Sequence, residues 1–377
     1  MSDRSHPIHE HPIHEHPIHE SIREEKYVRS VQTTMRGALR QRVLGAALVS
    51  VVAAATLTSC AEEPKDAEGK GGKNITVGLT YTPNIQFSPF YVAAEKGYYK
   101  DAGLKVTLRH HGASEDLFGA LTSGKEDVVY AGGDEMLQAR AAKNLPVVDI
   151  ATFYQKYPVG LIVPKDSDIR KPADLKGRKI GTPGPFGETY FGLLALLKEG
   201  GLSPKQAKIQ NIGFTQQAAL TGNKVEGVMG YLNNDAISFE EAGKEVRAIT
   251  LDTGDKGDPL VGVGLGAKKD VLEKRGDDMK KFVAASLRGL RYAMDNPDDT
   301  IKLSEKYVPG LRGEKQKKNA MAVLKATMPM MKTEQGEVGV NDPQTWTRMA
   351  DFMYDQGLLE KTVTPEDAYD NGYLPKS

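Results

Sequence analysis

Cysteine is all but missing from this chain: one residue, Cys60, among 377. A single cysteine excludes an intrachain disulfide and a cysteine metal cage. Histidine is scarce outside one short region. Six of the eight (His6, His9, His11, His14, His16, His19) lie in a threefold HPIHE repeat near the N-terminus, leaving only His110 and His111 elsewhere. That is little material for a histidine metal site or a nucleophile–base triad. No G-x-S-x-G or H-E-x-x-H spacing occurs either. An excess of charge of one sign is also lacking, with 50 Lys+Arg against 50 Asp+Glu. The electrostatic footprint of a nucleic-acid binder is therefore absent, and no such partner is expected. Neither a cofactor nor a metal centre is expected.

Apolar residues make up 39% of the chain, enough for a large core, and the length suggests two domains. The segment Met35–Cys60 has a basic start (Arg36, Arg40, Arg42) followed by 15 uncharged residues, Val43–Leu57. A membrane-spanning helix needs about 20 apolar residues, so the stretch fits a secretory signal better than a span. It ends in Leu57-Thr58-Ser59-Cys60, which resembles the bacterial lipobox. Cys60 is accordingly expected to be the lipidated first residue of the mature protein, held at the membrane by several acyl chains. Translation is expected to start at Met35, which makes residues 1–34 an extension. The second reading is a His-rich tail that binds a divalent metal loosely. Residues 35–59 then form the signal peptide, and residues 60–73 the lipidated cysteine and a polar tether.

From Asn74 onward, short β-branched runs alternate with helical stretches. Strands are expected at Ile75–Leu79, Lys105–Leu108, Asp127–Tyr130 and Val147–Thr152, with helices at Phe90–Lys100, Ser114–Thr122 and from Asp134 to Ala142. The same grammar resumes after Pro164. Strands are expected at Lys179–Thr182, Ile209–Ile212, Gly227–Tyr231, Arg247–Leu251 and Val261–Ala267, and long helices close the chain. Such alternation predicts an α/β protein with parallel sheets covered by helices. Two crossings, near Val163 and near Val261, would give a first lobe of residues 74–163 and 261–377 and a second lobe of 164–260. Ligands of open α/β sheets sit beyond the carboxyl ends of the strands, so a cleft between the lobes is the expected site.

Tyr81-Thr82-Pro83-Asn84, then Phe90-Tyr91-Val92-Ala93 and Glu95-Lys96-Gly97-Tyr98-Tyr99, resemble the opening of ABC-importer substrate-binding proteins for thiamine-precursor pyrimidines. That family also holds sulfonate and nitrate binders. Lys171–Gly177 with Lys179–Gly181 resembles the start of the family's second lobe. The resemblance implies the two-lobe type II periplasmic-binding-protein fold with a double crossover hinge. It also implies a small-molecule ligand, a permease with its ATPase as partner, a monomeric chain and an extracytoplasmic place on the membrane face. The implied ligand is a planar heteroaromatic nutrient, foremost a hydroxymethyl- or formylaminopyrimidine. Riboflavin, sulfonate and nitrate remain alternatives, since Tyr81 stands where Trp is common and no His follows Asn84 closely. Some relatives make the thiamine pyrimidine with a reactive His and a Cys-rich segment. This chain has too few of both for that chemistry.

Five turns supply the candidate ligand-binding residues. Tyr81 can stack on a flat ring, and Asn84 can donate and accept, although Pro83-Asn84 would also suit a plain turn. Gly133 would admit close backbone approach, with Asp134 either a ligand contact or an N-cap. Tyr154 can stack or hydrogen-bond. Phe186, Gly187 and Glu188 lie where a Gly-rich loop enters a helix; Glu188 at that position favours an amino-bearing ring over an anion. Tyr231, Asn233 and Asn234 could read ring edges, or form a turn. Trp346 is expected in the core. His110 and His111 are expected at the rim or surface, and the Lys268–Lys281 run on a solvated helix face.

Overall fold

The computed structural model describes residues 73–112, 114–251 and 259–376. The HPIHE repeat, the signal segment, Cys60 and almost all of the tether lie outside the described residues. Ten strands form two five-stranded sheets. The first has the order β2 (Leu104–His110), β1 (Lys73–Leu79), β3 (Val128–Gly132), β10 (Val263–Lys268), β4 (Val147–Thr152). The second has the order β7 (Lys208–Asn211), β6 (Lys179–Thr182), β8 (Gly227–Tyr231), β5 (Val159–Pro164), β9 (Val246–Ile249). Strands β3 and β4 are buried at every position, as expected where helices cover both faces of a sheet.

Each sheet contains one strand that opposes the rest: β10 against β3 and β4, and β5 against β8 and β9. Both are the strands by which the chain enters a sheet after leaving the other. A chain that exits one sheet at the carboxyl ends of its strands crosses the gap and must run away from it again. The crossings therefore fix the polarity of β5 and β10 and turn the carboxyl ends of both sheets toward one cleft.

The first crossing differs from the sequence expectation. Val159–Pro164 belongs to the second sheet, so the chain passes between sheets before Val159 rather than near Val163. Gly160 and the terminal Pro164 disguise this strand in sequence, yet it pairs with β8 over Val159–Ile162 and with β9 over Leu161–Pro164. The helix expected over Ser114–Thr122 is reduced to Gly119–Thr122. The first of the long closing helices runs over Lys269–Asp295 and bends at Arg275. Asp278 on it is buried and paired with Lys73 at 3.1 Å, so the Lys268–Lys281 run is not wholly solvated. Helix Ser88–Glu95 lies directly on helix Lys269–Asp295, where Gly289 leaves no room for a Cβ against the Pro89 carbonyl. Trp346 is fully buried and donates its indole N–H to Asn341 at 2.8 Å.

Candidate functional site

Loops from the carboxyl ends of β1, β2, β3, β6, β7 and β8 enclose a cavity of about 840 Å³, its open mouth included. Its walls are largely aromatic: Tyr81, Phe87, Tyr130, Tyr154, Phe214 and Tyr231, with half-exposed Phe186 at the edge. Tyr81 of the first lobe meets Phe214 of the second edge-to-face, with ring centroids 4.4 Å apart. Polar side chains complete the lining, among them Gln86, His111, Glu135, Glu188, Asn234 and Asp235. Among the described residues, no lysine or arginine lines the cavity.

Two helix N-termini face one another here, Gly133–Lys143 from the first lobe and Glu188–Glu199 from the second. Glu135 answers both. Its Oε2 accepts from the Gly132 N–H at 2.7 Å, and its Oε1 accepts from the Glu188 N–H at 2.8 Å. The first contact is the carboxylate half of a capping box; the second spans the lobes. Asp134 lies behind, accepting from the Glu135 N–H at 2.7 Å and from the Tyr157 hydroxyl at 2.8 Å. Glu188 accepts from the Tyr231 hydroxyl through Oε2, while its Oε1 is buried without a partner. Burial is the main force on all three carboxyls, and it raises Asp134, Glu135 and Glu188 well above the ordinary carboxylate range. Mutual charge adds to the rise at Glu135 and Glu188. Asp235 is likewise raised, to about 6, by burial.

The structure distributes the sequence candidates unevenly. Tyr81, Tyr154, Phe186, Gly187, Glu188, Tyr231 and Asn234 bound the cavity. Asn84 does not. It caps the short helical turn Ile85–Phe87 and donates from Nδ2 to Asn234 Oδ1 at 3.1 Å, bridging the lobes. Asn233 is buried away from the cavity, where it donates to Tyr154 Oη at 3.1 Å and to Thr327 at 2.7 Å. Gly133 is small to admit Val261 and Met349 rather than a ligand. Asp134 is fully buried behind Glu135 and is not the helix cap. His111 is buried rather than on the surface, 2.8 Å from Glu126. His110 bonds to the Tyr81 carbonyl and the Tyr91 hydroxyl.

Sequence reading missed Glu135, Tyr157 and Phe214, and it placed His111 at the rim or surface without a role. The Gly132-Gly133-Asp134-Glu135 run held a signal, since an acid at the third helical position is a capping-box mark. Phe214 follows Gly213, a positive-φ turn at the end of β7, which also marks a strand-to-helix corner.

A family described as NMT1/THI5 like matches residues 84–300. The chain belongs to the NMT1/THI5-like family. Within reach of this family, the chain is 33% identical over 339 residues to the riboflavin-binding protein RibY of Chloroflexus aurantiacus, covering 87% of this chain and 95% of the relative. It is 23% identical over 331 residues to a formylaminopyrimidine-binding protein of Halalkalibacterium halodurans, covering 85% and 97%. A 4-amino-5-hydroxymethyl-2-methylpyrimidine phosphate synthase of Legionella pneumophila is also 23% identical, over 310 residues, covering 80% and 92%. Among solved structures, the alkanesulfonate-binding protein SsuA of Xanthomonas axonopodis superimposes with a TM-score of 0.62 at 20% identity, covering 79% of this chain and 98% of that one. That likeness establishes the periplasmic-binding-protein fold for this NMT1/THI5-like member.

Proposed function

We propose that this family member is the extracytoplasmic substrate-binding component of an ABC importer, and that it captures riboflavin or a closely related flavin between its lobes and releases it unaltered. The observation that carries the ligand class is the cavity itself: aromatic walls, buried carboxyls at one side and no lysine or arginine among the described lining residues. An oxyanion there would face Glu135, Glu188 and Asp235 with no positive partner among the lining residues, which disfavours sulfonate and nitrate. A neutral ring with N–H and carbonyl groups along its edge suits a carboxyl that can donate when protonated and accept when ionised.

Two planar candidates remain. The sequence put a pyrimidine precursor first. The aromatic walls suit a flat ring system, and three fused rings offer them more face than one. The relative named as riboflavin-binding, 33% identical over 87% of this chain, favours the flavin. The reading as a carrier rather than a catalyst is supported by the two relatives named as binding proteins and by the scarcity of Cys and His in the chain. Anchoring through acylated Cys60, docking of both lobes on a permease with its ATPase, and action as a monomer complete the proposal. Differential affinity of the ligand for the closed arrangement would drive closure.

The test is calorimetry and flavin-fluorescence quenching on the full chain. The panel holds riboflavin, 4-amino-5-hydroxymethyl-2-methylpyrimidine, taurine and nitrate. Saturable riboflavin binding, tighter than that of the pyrimidine, is expected. Binding of the oxyanions alone would overturn the ligand class, and conversion of any bound compound to product would overturn the carrier reading.

A further inference from the structure

Four buried polar atoms that find no partner among the described residues belong to residues bounding the interlobe cavity: Gln86 Oε1, His111 Nδ1, Tyr130 Oη and Glu188 Oε1. Buried polar groups in native proteins are almost always paired, so unpaired ones gathered around one cavity mark where a bound molecule supplies the partners. Among the four, His111 is the one whose ring is oriented by a dedicated set of charges.

The ring is 3% exposed. Its Nε2 lies 2.8 Å from Glu126 Oε1. The same oxygen accepts from Arg109 Nη1 at 2.6 Å, and the other arm of that guanidinium reaches Glu115. Glu126 is pressed against β1, where Gly78 leaves no space for a Cβ beside its carboxyl. An acceptor carboxylate at Nε2 places the proton there, which leaves a lone pair on Nδ1 in the neutral ring. The backbone holds the ring from the other side, since the His111 N–H donates to the Leu79 carbonyl at 2.8 Å.

We infer that His111 is a ligand contact whose Nδ1 accepts a hydrogen bond from a hydroxyl or N–H of the captured molecule, with Glu126 as the positioning residue behind it. This rests on the small-molecule carrier reading above and adds to it a first-lobe acceptor opposite the carboxyls of the second wall.

A pair of substitutions separates this role from a purely structural one. In His111→Gln the side-chain amide falls near the place of Nε2, so the Glu126 contact survives and nothing remains at Nδ1. In His111→Asn the amide falls near Nδ1 and the Glu126 contact is lost. Riboflavin titrations and thermal melts are run on the full chain. His111→Gln is expected to keep the wild-type melting temperature and to bind riboflavin about ten-fold more weakly. His111→Asn is expected to melt lower, yet to bind more tightly than His111→Gln. Wild-type affinity in His111→Gln would overturn the inference. So would affinity losses that simply follow the melting temperatures of the two variants. If the wild-type protein ignores riboflavin, the flavin reading fails on that result alone. The same pair is then scored by the same criteria on 4-amino-5-hydroxymethyl-2-methylpyrimidine, which also carries hydroxyl and N–H donors.

Discussion

The backbone N–H of Glu188 donates to Glu135 Oε1 at 2.8 Å, so one side chain of the first lobe caps a helix of the second. Two helix N-termini, each with unpaired N–H groups and a positive dipole end, would otherwise confront each other across the cleft. Glu135 satisfies one donor from each. Acids gather at this point because both helices ask for negative charge or hydrogen-bond acceptors, even though burial resists ionisation. Glu135→Gln keeps the shape but presents an N–H₂ group to one of two N–H donors. It is expected to weaken the closed arrangement by about 1–3 kcal/mol, measured as a loss of ligand affinity and as expansion in small-angle scattering of the ligand-saturated protein. A scattering profile and affinity equal to wild type would contradict this role.

The same cluster sets a pH dependence. Burial raises Asp134 from 3.8 to about 7 and Glu135 from 4.5 to about 8. Between those limits the folded chain holds protons that the unfolded chain has released. Stability is therefore fully present below the ordinary carboxylate values and declines as pH rises through the folded-state values. Thermal melts between about pH 5 and about pH 9 should fall with pH, and the Asp134→Asn variant should show a shallower fall. A melting temperature that rises over this window would refute the assignment.

Tyr157 donates to Asp134 Oδ2 at 2.8 Å and sits 3.2 Å from the Glu188 carbonyl. Tyr157→Phe leaves a buried carboxyl without its hydroxyl donor and is expected to cost about 1–3 kcal/mol in chemical denaturation. An unchanged midpoint would mean that Asp134 is held by other groups.

Phe214 is half-buried and meets Tyr81 edge-to-face in the cavity wall. Phe214→Ala should weaken flavin binding roughly ten-fold, as expected for loss of one aromatic contact, with little change in the melting temperature of the free protein. Equal affinity would place the ligand elsewhere in the cleft.

Cys60→Ala tests the proposed anchor. The variant should appear in the medium or persist as an unprocessed precursor. Retention on the membrane at mature mass would argue against acylation.

Much of the fold is legible in sequence because parallel strands covered on both faces read as apolar runs, unbroken in Val128–Gly132 and interrupted by Asp149 in Val147–Thr152. Val159–Pro164 escaped because its glycine and proline look like a boundary, and only pairing with β8 and β9 makes it a strand. At the cleft, Glu188 was legible because a glycine-rich turn leads straight into a helix. Glu135 was hidden behind Asp134, the better cap by residue type, and only the approach of a second helix N-terminus reveals its task. His111 is buried by Glu126, a partner 15 positions away that no local pattern announces. Asn84 and Asn233 were chosen for their edge-reading chemistry, which the protein spends on itself in joining the lobes.

The polarity of the crossing strands has a mechanical corollary. Tyr154 belongs to the passage between Thr152 and Val159 and also forms part of the cavity wall. On the proposed carrier reading, cargo bears directly on this crossing, where a small displacement would swing the far rim through a longer arc. A bulkier guest would prop the jaws apart most effectively at that spot.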